Sequence, residues 1–265
     1  MSDCKIFNNF RYNCESRNIE GYSKKDIENI RHFIKSYKVV VLKDVFEKKV
    51  IEGIRKSIFD YMQLSEQSNP IIDGDVPNFF RRDENPEKSA VKRINQFVVS
   101  FYWNADVAGE TVLMKAMSRL RNEIAKLPIE YTLDGIESDG YMTYSNIIHY
   151  PLGGGKLNKH QDPPNKQFTV IISSMSEKGD DFHRGGVYVE ETDEKVELDD
   201  VLETGDVYLI NPQIMHGVDE IDPQSKPLQW NSIKGRWILF PALIEVKTVH
   251  GVKVDGLKDL ENDNS

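Results

Sequence analysis

The sequence predicts a mainly β protein with N-terminal α-helices, a β-barrel or sandwich braced by a helical layer. In the first half of the 265-residue chain, apolar residues recur at spacings of three and four. From Gly140 to about residue 249 the chain instead breaks into short β-rich runs separated by Gly, Pro and Asp. Helical periodicity first and strands afterwards is the pattern of a helical support packed on a closed or double-layered sheet.

Each element follows from local signals. Ser23-Lys24-Lys25-Asp26 precedes Ile27, Ile30, Phe33 and Ile34, which share one helical face and predict a helix over 22–37. Val39-Val40-Val41-Leu42 is a β-branched run and predicts a buried strand. Ile51, Ile54, Ile58 and Met62 place a second amphipathic helix over 47–64. Residues 65–89 are rich in proline and charge and predict a long loop, of the kind that often forms a lid; Phe79-Phe80-Arg81-Arg82 would close over substrate or anchor that loop to the body. Residues 93–103 are strand-like, and Met114, Met117, Leu120 and Ile124 mark a helix that ends before Pro128. One domain is expected, with helical support and lid over 20–138, a β core over 139–249 and an acidic tail over 250–265.

Composition narrows the function. Hydrophobic residues make up 39% and charged residues 29%, which supports a true core and a solvated surface. A net charge of -9 repels polyphosphates, so nucleic acid is not an expected partner. Cys4 and Cys14 are too few for a disulfide framework or a thiolate metal site. Residues 1–11 lack the basic flank and apolar stretch of a secretory signal, and no apolar run approaches the roughly 18 residues that span a bilayer. A soluble, cytoplasmic protein is expected.

His160-Gln161-Asp162 sets two metal-binding side chains at i and i+2, which on an extended segment share a face. His216 follows a strand-like run, 206–210, and a turn at Asn211-Pro212, and is the leading third ligand. Two imidazoles and a carboxylate form a facial triad that leaves neighbouring coordination positions open, the arrangement of non-haem iron oxygenases. His149 lies in an apolar strand and reads as a core imidazole; His183, beside Arg184-Gly185-Gly186, is a weaker ligand candidate, and His32 faces solvent from a helix. Arg236 lies in an otherwise apolar run, Trp237-Ile238-Leu239-Phe240, where a guanidinium needs an anion: an internal carboxylate or a dicarboxylate co-substrate.

In this order, His160-x-Asp162, Phe182-His183-Arg184-Gly185-Gly186, 204–210, Met215-His216-Gly217-Val218 and Arg236 resemble the 2-oxoglutarate- and iron(II)-dependent oxygenase superfamily. The resemblance implies a double-stranded β-helix (jelly-roll, cupin-like) core. It also implies a dioxygenase in which O2 decarboxylates 2-oxoglutarate to succinate and carbon dioxide and so generates an oxidant. By that likeness His160, Asp162 and His216 bind Fe(II), and Arg236 binds the distal carboxylate of 2-oxoglutarate. Many members carry Ser or Thr two residues beyond the arginine, where this chain has Ile238; Asn146, Tyr150 or Thr169 would replace that hydroxyl, with Asn146 preferred. Radical halogenases of the superfamily have Gly or Ala where Asp162 stands, so hydroxylation is the expected outcome.

The run Ile147-Ile148-His149-Tyr150-Pro151-Leu152-Gly153-Gly154-Gly155 is similar to the segment preceding the ligands in small-molecule oxygenases, including the amino-acid hydroxylase and halogenase group. A small polar metabolite, possible as a free amino acid, is the expected substrate, with Arg93, Trp230 and Asn231 as candidate contacts. For Arg93 the competing reading is a solvated charge on an edge strand. Rival functions are a protein or peptide hydroxylase and a non-catalytic cupin-like metal-binding protein.

Overall fold

A computed structural model of the chain describes residues 4–68, 78–88, 92–102, 106–163, 166–191 and 194–246. Trp103, the acidic tail and residues 69–77 of the expected lid lie outside the described residues. The elements are β1 (Cys4–Phe7), β2 (Arg11–Asn13), β3 (Asn18–Glu20), α1 (Lys24–Lys35), β4 (Val39–Leu42), α2 (Lys48–Leu64), β5 (Phe79–Asp83), β6 (Arg93–Ser100) and α3 (Glu110–Ala125). After these come β7 (Tyr141–Pro151), β8 (Gly155–His160), β9 (Val170–Ser174), β10 (Gly186–Glu191), β11 (Glu194–Glu197), β12 (Val207–Ile210), β13 (Met215–Ile221) and β14 (Gly235–Glu245).

At α1 periodicity and a cap agree. Ser23 Oγ accepts from Asp26 N at 3.2 Å, and Asp26 Oδ2 accepts from Ser23 N at 2.8 Å, a capping box that starts α1. The face that follows buries Ile27, Ile30 and Ile34, as the spacing predicts. Likewise α2 buries Ile51, Ile54, Ile58 and Met62.

The expected loop over 65–89 contains a strand. β5 pairs antiparallel with β6, from Phe79 opposite Val99 to Asp83 opposite Asn95. Phe80 enters the core under the helices and Phe79 the core between the sheet layers, so both faces are buried and the alternation that usually marks a strand is hidden. Phe79-Phe80-Arg81-Arg82 therefore belongs to the body. β1, parallel to β4, and the β2–β3 hairpin are too short for a sequence signal.

Strands run in the order β1-β4-β12-β9-β14-β7-β6-β8-β13-β10-β11, with β5 on β6. The sheet folds over at β6, which pairs with β7 through Gln96–Ser100 and with β8 through Arg93 and Ile94. Two cores result. The outer face of β4, β12, β14 and β7 packs on α1, α2 and α3 through Val40, Leu209, Ile147 and Trp237; the inner face, between the sheet layers, holds Val41, Phe97, Ile148, Tyr150, Val218 and Ile238. The helices brace one face of the β layer as expected, but β4 and β6 bring the N-terminal half into the sheet itself.

His149 illustrates the outer core. Its ring is fully buried and stacks on Trp237 at 4.2 Å, with Nδ1 on Gln96 Nε2 at 2.8 Å and Nε2 on Lys234 O at 3.0 Å. Burial pushes its pKa from 6.5 down to about 3, so the imidazole stays neutral. Below pH 6.5 the unfolded chain takes up a proton that the folded chain refuses, and stability falls as pH drops towards 3. Urea denaturation should show a contribution of about 2 kcal/mol lost between neutrality and pH 5 in the parent, absent in His149→Gln. An unchanged pH slope in the variant would contradict this.

Candidate metal centre

β8 and β13 pair antiparallel with His160 opposite His216 and Val218 opposite Leu157. Two steps along β13 thus match three along β8, a bulge. Without the extra residue, Leu157 and His160 would face opposite sides of the strand; with it, both turn to the side of Val218 and His216. Asp162 lies just past the strand, where its N–H donates to Pro212 O at 2.8 Å and its carbonyl accepts from Gln213 Nε2 at 2.5 Å. These bonds tie the acid to the turn that delivers His216.

The three side chains converge. His160 Nε2 lies 3.6 Å from one oxygen of Asp162 and His216 Nε2 3.7 Å from the other, and one ligand atom from each residue lies within 4.8 Å of the others. Each imidazole hydrogen-bonds through Nδ1 to a carbonyl two residues back, Asn158 O and Ile214 O, both at 3.0 Å. Those bonds orient the rings and leave Nε2 aimed into the group, as metal-binding histidines require. Burial alone would lower the pKa of His160, but the Asp162 carboxylate and the Asn158 carbonyl outweigh it and the pKa is raised. At His216 burial prevails and the pKa is lowered, which favours a neutral ligand. A second group, Asp44, Glu203 and Asp206, contains acids only and is bridged by Lys43.

Arg236 stands on the inner face of β14, opposite Tyr150, and is fully buried. Its anion is Asp199: Nε donates to Asp199 Oδ2 at 2.7 Å, and Nη2 donates to the Tyr208 hydroxyl at 3.3 Å. Burial would discharge the guanidinium, yet Asp199 and the neighbouring phenols raise its pKa. Of the two anions the sequence allows, the internal carboxylate is therefore present. Nη1, however, is buried without a hydrogen-bond partner among the described residues. Asn146 Oδ1, on the Tyr150 side of β7, is likewise buried without one. The unpaired Nη1 is a donor that fits an anionic ligand, while the Asn146 oxygen, four residues along β7 from Tyr150, is an acceptor and leaves only its amide N–H2 to meet an anion.

Asp199 and Tyr208 escape the sequence reading. The only local signal is Gly186, which has φ +128° and where an added Cβ would lie 2.4 Å from Asp199 Oδ2. Glycine is needed there because the carboxylate that holds Arg236 also accepts from Val187 N at 2.6 Å. Thr169 is committed to Ile210 O at 2.9 Å. His183 and His32 are exposed, apart from the group.

The other candidate contacts diverge. Trp230 lies under the Arg82 guanidinium at 4.8 Å, and its carbonyl accepts from Gln96 Nε2 at 3.3 Å. Gln96 belongs to the His149 side of the sheet, so Trp230, and Asn231 beside it in a groove of about 370 Å³, sit on the outer face, away from the inner face that carries Arg236. Arg93 is on no edge: β6 is flanked by β5, β7 and β8. Its Nε donates to Asp83, a fully internal partner the sequence does not suggest.

Among solved structures the chain is similar to a Pseudomonas putida prolyl-4-hydroxylase, with TM-score 0.53 and 12% identity over 81% of this chain and 97% of that one. It is also similar to the non-haem α-ketoglutarate-dependent epimerase SnoN of nogalamycin biosynthesis, with TM-score 0.54 and 9% identity over 84% of each chain. A third likeness is to a Trichoplax adhaerens prolyl hydroxylase in complex with a hypoxia inducible factor oxygen degradation domain peptide fragment, with TM-score 0.50 and 12% identity over 88% of this chain and 96% of that one. No protein-family model and no curated protein matches the chain. The shared property is the fold, a double-stranded β-helix.

Two measurements check the geometry. Saturating manganese(II) should raise the melting temperature of the parent by roughly 5–10 °C and leave His216→Ala unmoved; equal shifts would mean that the ion binds elsewhere. Asp199→Ala should cost about 3 kcal/mol in urea denaturation, since it strands a buried guanidinium. A loss below about 1 kcal/mol would show that the pair is not the anchor described.

Proposed function

We propose that this protein is an iron(II)- and 2-oxoglutarate-dependent oxygenase that hydroxylates an unactivated carbon of a small polar metabolite. The observation that carries the reading is the meeting of His160, Asp162 and His216 with both Nε2 atoms turned inward, in a β-helix whose inner face also carries a guanidinium with an unused donor. When bound, iron(II) with 2-oxoglutarate and O2 supplies oxidative decarboxylation to succinate and carbon dioxide and an oxidant strong enough for an aliphatic C–H bond.

The residues of the chain have separate tasks in this reading. His160, Asp162 and His216 would hold the metal, three protein ligands that would leave positions for other ligands. Arg236 offers Nη1 to the distal carboxylate of 2-oxoglutarate, with the Tyr208 hydroxyl beside it in the place of the Ser or Thr that Ile238 replaces. Asn146 is the second co-substrate contact. Ile148, Val189, Val218 and Ile238, all buried between the layers, keep water from the reaction. Asp162 fills the position a halide would need, which favours hydroxylation over halogenation. A peptide substrate is the second reading, favoured by the likeness to two prolyl hydroxylases, one of them in complex with a peptide fragment.

Anaerobic addition of iron(II) and then 2-oxoglutarate should produce the weak visible charge-transfer band of a chelated oxo acid. Arg236→Ala should need at least about tenfold more 2-oxoglutarate for the same band, the loss expected for a charge-assisted hydrogen bond. If the parent gives no band, the reading fails. Succinate release with small metabolites, but not with proline-containing peptides, separates the two substrate classes, and no succinate under any condition would leave a metal-binding protein without catalysis.

A further inference from the structure

On the inner face of β5 and β6, two arginines share a single buried acid. Residues 79, 81 and 83 of β5 alternate to the same side as residues 93, 95 and 97 of β6, and that side is the inner one, because Phe79 and Phe97 pack in the core between the layers. Arg81 Nε donates to Asp83 Oδ1 at 2.7 Å and Arg93 Nε to Asp83 Oδ2 at 2.5 Å. The acid is almost fully buried, at 5% exposure, while the arginines keep 37% and 31%. Two guanidiniums against one carboxylate leave one net positive charge. Among the described residues, the neighbouring acids do not cancel it, since Glu84 pairs with Arg82 and Glu87 with Lys92.

The geometry of the shared acid matters more than its charge. Both arginines spend only Nε on Asp83, so among the described residues the Nη donors of both carry no hydrogen bond. Asp83 thus holds both guanidiniums at Nε, and on side chains that stay 37% and 31% exposed their Nη donors remain for a planar oxyanion. Arg93 is steadied further by the Phe97 ring, 4.8 Å from its guanidinium. It also sits opposite Leu157, three residues before His160 on the strand that ends in the candidate metal group. Asn95, next along the same face, keeps Oδ1 buried without a partner among the described residues.

We propose that Arg81 and Arg93, clamped by Asp83, form the receptor for a carboxylate on the primary substrate, distinct from the Arg236 cradle for the co-substrate. This deepens the oxygenase reading and rests on it for the word substrate; the carboxylate site itself is defined without the metal. One net charge matches a monoanion rather than a doubly charged phosphate. The substrate class is then a small molecule with a free carboxylate, held so that its remaining atoms extend along β8 towards His160.

The test uses full-length, metal-free protein and measures melting temperature with each of the twenty L-amino acids and its carboxamide, so that charge is removed with little change of shape. At least one acid should raise the melting temperature where its amide does not, and both Arg81→Gln and Arg93→Gln should weaken that acid at least about tenfold in calorimetric titration, with Arg93→Lys recovering part of the loss. The same acid should stimulate succinate release from the iron(II)- and 2-oxoglutarate-loaded parent but not from Arg93→Gln, in which the charge-transfer band persists. Should Arg93→Gln fail to fold, Arg81→Gln, on the more exposed arginine, carries the comparison. The proposal is overturned if no amino acid binds, if amides bind as well as acids, or if both Gln variants keep full affinity. Loss of the band in the parent overturns the oxygenase reading instead, and the acid–amide difference stands or falls without it.

Discussion

The out-of-step pairing of β8 with β13 is the constraint on which the site depends. Strand pairing fixes side-chain direction with a period of two, so any odd offset sends a residue to the opposite face. One extra residue in β8 between Leu157 and His160 allows Leu157 to pack inside while His160 turns to the same side opposite His216. The placement of Asp162 and the inward Nε2 atoms both require that alignment. The local loss of ladder bonding is compensated by the ties from Asp162 and Gln161 to the loop before β13.

Two guanidiniums on the inner face, one fully buried and one partly exposed, are each held at Nε by a buried acid. Arg236 with Asp199 and Arg93 with Asp83 are these pairs, at different levels of the same layer. A lone buried cation would cost several kcal/mol, and the acid removes most of that cost without using the fork needed for recognition. At Arg236 the pair with Asp199 is neutral, whereas Asp83 shared by Arg81 and Arg93 leaves one positive charge.

Much of this was legible in the sequence. His160-x-Asp162 and His216 are readable because few residue types bind metals, and their order around a strand–turn–strand pattern is restrictive. Arg236 is readable because a charge stands out in an apolar run. Its partner is not: Asp199 is one of 43 acidic residues and lies 37 positions away, so only the fold selects it. β5 was hidden by its proline-rich and charged surroundings and by burial of both its faces, and with it went Asp83 and the reason Arg93 is not an edge charge. Trp230 and Asn231 lie on the outer face, a placement the sequence does not show because adjacency to the Arg236 strand says nothing about which face of the sheet the loop packs on. The helices, by contrast, follow from apolar spacing over neighbouring turns, with a capping box added at α1.

The most direct test of the central claim is iron-edge X-ray absorption on the anaerobic iron(II)-loaded protein. The account predicts a shell of nitrogen and oxygen neighbours with the outer-shell scattering of two imidazoles, falling to one in His160→Ala and one in His216→Ala. A spectrum with fewer than two imidazoles in the parent, or one that neither substitution alters, would contradict it.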